Sequence, residues 1–279
     1  MELEPLSPAI GAEVKGTDLS RVLSPQEADD IRQAFARYHL LLFREQEITF
    51  DEQTRFAALF GPAINTHKMT PDGQQFVSNT VQDAAVGDGE LGFHQDHSFF
   101  DLPDTNVILL YALEVPARGG ETVFANTQRA YEDLPDSLKR RISGLHALHI
   151  AGRGVRISGE APDIRHVGPR TSAIQPTVWM QPDSGKAVLY VSQLVDHFIE
   201  LGKNESDTLL SQLEAHLYRQ ELLYKHKWRV GDVVIWSNRI LQHSRTAFDP
   251  SEKRTLRRST IGTPEALKED LSPTAAAGR

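Results

Sequence analysis

The sequence predicts a mainly β fold, a β-sandwich or jelly roll with helical additions. Three observations point there. Short apolar runs that read as strands recur from residue 76 onward. Helical patterns cluster before residue 61 or fall singly between strands, so the regular alternation of a doubly wound sheet is missing. The glycines form neither a G-x-G-x-x-G after a strand nor a phosphate-cradling loop.

The elements follow in order. Residues to about Arg21, with Gly11 and Gly16, read as short strands and turns. Ser24-Pro25-Gln26-Glu27 is a capping box with proline at the first helical position. Its helix carries Ala28, Ile31, Ala34 and Phe35 at three- and four-residue spacing and ends near Tyr38. Residues 40–43 are a buried strand. Thr49-Phe50-Asp51-Glu52 is a second capping box, whose helix is stopped by Gly61-Pro62. Strands are expected at 76–81, through the phenylalanine-rich stretch near 92–100, at 107–113, and at 122–125 after a Gly119-Gly120 turn. A helix from Thr127 to about Ile142 comes next. Residues 143–176 show little periodicity and read as an insertion over the core, a lid. A hairpin joins 177–180 to 187–191, a helix runs from Asn204 to about Leu222, and 230–236 is a turn then a strand. Residues 257–261 belong to the last strand, and the tail after Pro264 reads as disordered. The whole, 1–279, reads as one domain.

Composition narrows the function classes. The 279 residues are 39% hydrophobic and 24% charged, which is enough for a sizeable core. A net charge of -8 argues against a nucleic-acid partner. With no cysteine there is no disulfide, thiolate metal site or cysteine nucleophile. The acidic start, Met1-Glu2-Leu3-Glu4-Pro5, is unlike a signal peptide, and no apolar run is long enough for a bilayer. A cytoplasmic protein without a membrane partner is expected.

The chemistry centres on Phe93-His94-Gln95-Asp96. Flanking Phe93, Phe99 and Phe100 favour an extended strand. In a strand His94 and Asp96 share a face and grip one ion, while Gln95 and His97 point away. A helix would hold them about 200° apart. His243, which closes Trp236-Ser237-Asn238-Arg239-Ile240-Leu241-Gln242-His243, is the third ligand. Two histidines and one carboxylate on one face of a metal mark non-haem Fe(II) oxygenases. Downstream, Arg254, Leu256 and Arg258 share one strand face. Inward arginines are costly unless they meet anions, so carboxylate, sulfate or sulfonate groups are expected beside the metal. Arg257 faces the other way and reads as paired with the acidic surface.

These stretches, with Gly119-Gly120-Glu121-Thr122-Val123-Phe124-Ala125, resemble the taurine dioxygenase family, which includes enzymes attacking 2,4-dichlorophenoxyacetate and alkyl sulfates. The resemblance implies a double-stranded β-helix (jelly-roll) core and Fe(II) held by His94, Asp96 and His243. It implies 2-oxoglutarate as co-substrate, its distal carboxylate at Arg254 with help from Thr122, and O2 as oxidant. It implies hydroxylation of an aliphatic carbon of a small anionic substrate held by Arg258, with succinate and CO2 as co-products. Halogenating relatives have a small residue at the position of Asp96. Phe93 stands where the family usually has tryptophan or a similar aromatic. His67, in Asn65-Thr66-His67-Lys68, and Asn79 are expected against the substrate. Relatives are often dimers or tetramers, which leaves a homo-oligomer open.

Two other readings compete. A zinc hydrolase would use the same three ligands. A non-catalytic binding module would have lost ligands or the anion clamp, and this chain keeps both. His97 reads as structural. His146, His149, His166, His197, His216 and His226 read as ordinary, and Trp179, Trp228 and Trp236 as core or sheet residues.

Overall fold

The computed structural model describes residues 1–64, 69–81, 84, 89–100, 105–151, 172–182 and 184–262. His67, the middle of the 143–176 stretch and the tail after Pro264 lie outside them.

The N-terminal part forms as its local chemistry dictates. Strands β1 (Glu2–Pro5) and β2 (Ala12–Lys15) pair as a hairpin. Helix α1 (Pro25–Tyr38) opens on a complete capping box: Ser24 Oγ accepts from the Glu27 N–H, and the Glu27 carboxylate accepts from the Ser24 N–H at 2.8 Å. His39, left-handed at φ 61°, ends it and turns the chain into β3 (Leu40–Phe43), which is buried throughout. Helix α2 (Phe50–Ala57) opens on the second complete box.

Strands then dominate: β4 (Gln75–Ser78), shorter than the sequence suggests, β5 (Leu91–His94), β6 (Thr105–Glu114) and β7 (Thr122–Asn126). The single helix expected over 127–142 is two, α3 (Thr127–Glu132) and α4 (Asp136–Ile142). Pro135 divides them, because it lacks an N–H and disfavours helical backbone at Leu134. The stretch read as an irregular insertion begins and ends in strands, β8 (His146–Ile150) and β9 (Ser172–Pro176). After the expected hairpin, β10 (Val178–Met180) with β11 (Ala187–Leu189), comes β12 (Val195–Phe198), which pairs with β8 on the side opposite β9. Helix α5 (Lys203–Leu217) stops five residues short of expectation. Tyr218 leaves it to lie flat on Phe93, centroids 4.3 Å apart, and to donate its hydroxyl to Gln242. The last strands are β13 (Leu223–His226), β14 (Val233–Ser237), β15 (Leu241–Arg245) and β16 (Thr255–Gly262).

Two sheets form the body. The larger has the order β1-β2-β3-β14-β6-β16-β4, the smaller β13-β7-β15-β5. Between them Leu40, Leu42, Ile108, Leu110 and Trp236 of the larger sheet meet Phe124 and Leu241 of the smaller. The alternate residues Leu41, Phe43, Leu109 and Ile235 point outward onto Ile31 and Ala34 of α1 and Phe56 of α2. Both faces of β3, β6 and β14 are covered, so these strands read as continuous apolar runs. This is the expected jelly-roll core with helices on one face. A third cluster packs Leu209, Leu213 and Leu217 of α5 against Ala130, Leu134 and Phe198.

Arg257 corrects the sequence reading. It is buried beneath the helical layer, not on the acidic surface. Its Nε donates to Gln53 Oε1 at 2.7 Å and its Nη2 to the Ile48 carbonyl at 2.8 Å, and the guanidinium lies over the Tyr111 ring. Adjacent strand positions face opposite ways, so Arg257 meets α2 while Arg258 enters the space between the sheets.

His149 on β8 is fully buried against Tyr190, ring centroids 5.5 Å apart, and burial pushes its pKa down to about 4. It is therefore neutral in the folded state, whereas the unfolded chain protonates it near its ordinary value. Stability from this group is complete above that value and is lost as pH falls toward 4. His149→Phe should flatten that part of the pH–stability curve by about 3 kcal/mol at most, measured by urea unfolding between pH 7 and 4.

Candidate metal and co-substrate site

Strand β15 lies between β7 and β5, and its register sets the site. His243 is opposite His94 on one side and Phe124 on the other; Arg245 is opposite Thr122. Asp96 arrives differently from expectation. Strand β5 ends at His94, and residues 96–99 form turns with His97 left-handed at φ 64°. Alternation along a strand therefore does not aim Asp96. Asn238, in the turn that launches β15, does so by clamping its backbone. Asn238 Oδ1 accepts from the Asp96 N–H at 2.9 Å, and its Nδ2 donates to the carbonyls of Asp96 at 3.0 Å and Thr105 at 3.1 Å. His97 is buried facing away, its Nδ1 3.0 Å from Thr105 Oγ1.

The donor atoms of His94, Asp96 and His243 lie within 4.8 Å of one another. Asp96 Oδ1 is 3.1 Å from His94 Nε2 and 3.6 Å from His243 Nε2. Donors about 2.1 Å from one ion and at right angles to each other stand about 3.0 Å apart, so this set fits a single ion with little movement. The tautomer fits too. His94 Nδ1 donates to the Gly92 carbonyl at 2.7 Å, which leaves the Nε2 lone pair for the metal.

Electrostatics prepare the same state. Burial, which favours protonation of Asp96, is outweighed by the Arg258 charge and the two histidines, so its pKa lies well below the usual carboxylate range. Arg258 Nη2 donates to Asp96 Oδ2 at 2.6 Å and its Nε to Thr260 Oγ1 at 2.9 Å. Burial and the neighbouring His94 push His243 down to about 3, so it is a neutral ligand. For His94 burial is outweighed by the hydrogen bond and charge of Asp96, and its pKa is raised. A metal must therefore displace a proton from His94 as pH falls.

Beside the ligands is a cavity lined by Thr122, Arg245, Arg254 and Arg258, with Val77, Leu91, Leu110 and Trp236 as apolar wall. Arg254 is held from both ends. Its backbone N–H donates to Asn79 Oδ1 at 2.9 Å and its Nε to the Gly120 carbonyl at 3.0 Å. Gly120 sits at φ 68°, and a Cβ there would lie 3.1 Å from Arg254 Cδ, so glycine opens the slot for this side chain. Arg254 Nη1 is buried with no hydrogen-bond partner among the described residues. Burial and the charge of Arg245 lower its pKa to about 9. A buried guanidinium with an unused donor is a place for an anion.

Of the residues singled out in the sequence, His94, Asp96, His243, Thr122, Arg254 and Arg258 come together around this cavity. His67 lies outside the described residues. Asn79, expected against the substrate, instead ties the loop before β16, its Nδ2 also donating to the Glu252 carbonyl at 2.8 Å. Two residues were missed. Arg245, whose Nε donates to the Gly89 carbonyl at 3.1 Å, lies two positions past His243 on β15, and alternation along that strand would have found it. Asn238 was legible only as part of a motif. Asn238→Ala should weaken Mn(II) affinity about tenfold while circular dichroism stays unchanged. Unaltered affinity would mean the clamp does not hold the ligand.

The chain matches the family model described as taurine catabolism dioxygenase TauD, TfdA family, over residues 2–260. It is 30% identical to the α-ketoglutarate-dependent 2,4-dichlorophenoxyacetate dioxygenase of Cupriavidus pinatubonensis, across 92% of this chain and 96% of that one. It is 31% identical to an alkylsulfatase of Acinetobacter baylyi, across 94% and 84%. Its fold superposes on the crystal structure of AAD-2 in complex with Mn(II) and N-oxalylglycine with a TM-score of 0.80 and 29% identity, covering 94% of this chain and 98% of that one. Three side chains able to hold one metal ion, beside a buried guanidinium, thus occur on a chain that aligns with such enzymes almost end to end, and the protein belongs to the TauD, TfdA family as an Fe(II)- and 2-oxoglutarate-dependent dioxygenase that consumes O2.

Proposed function

We propose that the enzyme hydroxylates an aliphatic carbon of a small organic anion, with succinate and CO2 as co-products. His94, Asp96 and His243 would hold the Fe(II), and the bound ion with 2-oxoglutarate supplies the oxidising chemistry. Arg254 and Thr122 receive the distal carboxylate of 2-oxoglutarate. The Nη1 of Arg254 carries this reading, because it is buried and has no hydrogen-bond partner among the described residues. A zinc hydrolase on the same three ligands leaves that donor unexplained.

The anionic substrate is supported by charge. Among the described residues, three guanidiniums and one carboxylate, Asp96, line this cavity. Arg254 and Arg258 together with a divalent ion outweigh Asp96 and a dicarboxylate co-substrate, which leaves this space cationic. Arg258 spends two donors on Asp96 and Thr260, and a guanidinium has further N–H groups to offer. We assign it to the substrate anion. The relatives named for 2,4-dichlorophenoxyacetate and alkyl sulfates act on molecules that are anions at neutral pH. The apolar wall of Val77, Leu91, Leu110 and Trp236 keeps water from the reacting groups and from the methylene chain of the co-substrate.

A panel of aryloxyacetates, alkyl sulfates, sulfonates and amino acids, with neutral isosteres of each, tests this. Metal-free protein is given 2-oxoglutarate with Fe(II) or Zn(II), and succinate and O2 uptake are followed. Succinate should form only with Fe(II) and should rise with an anionic member. Equal stimulation by the neutral isosteres would sink the anionic substrate. Arg254→Ala should raise the KM for 2-oxoglutarate by tenfold or more and leave that for substrate within about twofold, as expected for a lost charged hydrogen bond. The reverse pattern would exchange the roles of Arg254 and Arg258.

A further inference from the structure

We propose that Trp228 is a positioning residue for 2-oxoglutarate: its indole N–H fixes the Thr122 hydroxyl so that the hydroxyl proton is aimed at the co-substrate carboxylate. This rests on the placement of that carboxylate at Thr122 and Arg254. Trp228 Nε1 is 3.0 Å from Thr122 Oγ1, and both residues are buried. The geometry allows one assignment of protons. An indole nitrogen only donates, so Thr122 Oγ1 accepts. The single proton of Thr122 must then point elsewhere, and Thr122 lines the cavity beside Arg254. An N–H donor behind a hydroxyl also strengthens the hydrogen bond the hydroxyl gives.

The indole is itself fixed from behind. Its ring stands at 90° to that of His226, centroids 4.5 Å apart. His226 is fully buried, with Nδ1 3.1 Å from Tyr224 Oη and Nε2 3.1 Å from Asp232 Oδ2. Asp232 in turn accepts from Arg44 Nη1 at 2.6 Å and from the Arg229 N–H at 2.8 Å. A connected polar and aromatic stack therefore runs from Arg44, just past β3, to the cavity wall and ends on one hydroxyl.

Binding of 2-oxoglutarate to Mn(II)-loaded protein, measured by calorimetry, separates positioning from packing. Trp228→Phe keeps a ring and removes the N–H; it should weaken 2-oxoglutarate about fivefold and leave Mn(II) affinity unchanged. Thr122→Val should weaken it about tenfold. The double variant should be no weaker than Thr122→Val alone, and Thr122→Ser, which keeps the hydroxyl, should keep the dependence on Trp228. An equal loss on Trp228→Phe in the Thr122→Val background, or no loss in the native one, would overturn the proposal. A Thr122→Val protein that binds normally would remove Thr122 from the co-substrate site and overturn both readings. A second measurement needs no tryptophan variant. In Zn(II)-loaded wild-type protein, 2-oxoglutarate should shift the Trp228 indole 1H–15N resonance, and Thr122→Val should abolish that shift; a resonance indifferent to both counts against the proposal.

Discussion

The central position of β15 is the constraint on which the site depends. It pairs with β7 and β5 together, and a single register sets His243 against His94 and Arg245 against Thr122. Side chains alternate along a strand, so a slip of one residue would turn His243 away and bring Gln242 inward. Gln242 is itself tied on the other face, between the Tyr218 hydroxyl and the Val191 carbonyl. Two independent anchors thus hold one register. The turn before β15 adds the third ligand, since Asn238 grips the backbone of Asp96.

Charge is arranged against stability here. Arg254 is buried with a guanidinium nitrogen that has no partner among the described residues. Such groups raise the free energy of the empty fold. The compensation lies in a site already shaped for anions, so little reorganisation is needed when a dicarboxylate enters. Asp96 shows the opposite economy. Arg258 holds one of its oxygens and keeps it ionised, leaving the other for a metal. Breaking that pair would leave a charge stranded in the interior.

Much of the fold was legible because local chemistry and tertiary need agree. The Ser24 and Thr49 boxes start helices where the residues themselves satisfy the first backbone donors. The apolar runs at 40–43 and 105–114 are strands because both their faces are covered. Legibility failed where a distant partner decides. The turn after His94 is held by Asn238, over a hundred residues away, although the phenylalanines around it favour a strand. Strands β8 and β9 pair across residues that show weak apolar signal, and the pairing with β12 completes them. Arg257 was mistaken for a surface residue because the acceptors that permit its burial, Gln53 and the Ile48 carbonyl, belong to another part of the chain.

Which side chains to consider as metal ligands and anion partners follows from residue types and motifs, since few side chains bind a metal and fewer neutralise an anion. Their convergence does not. Asp96 lies on a turn, Asn79 serves the backbone instead of the cavity, and Trp228 meets Thr122 across 106 positions of sequence. Those relations arise only when two sheets close on each other, because hydrogen bonds between distant residues depend on fractions of an ångström that no local pattern encodes.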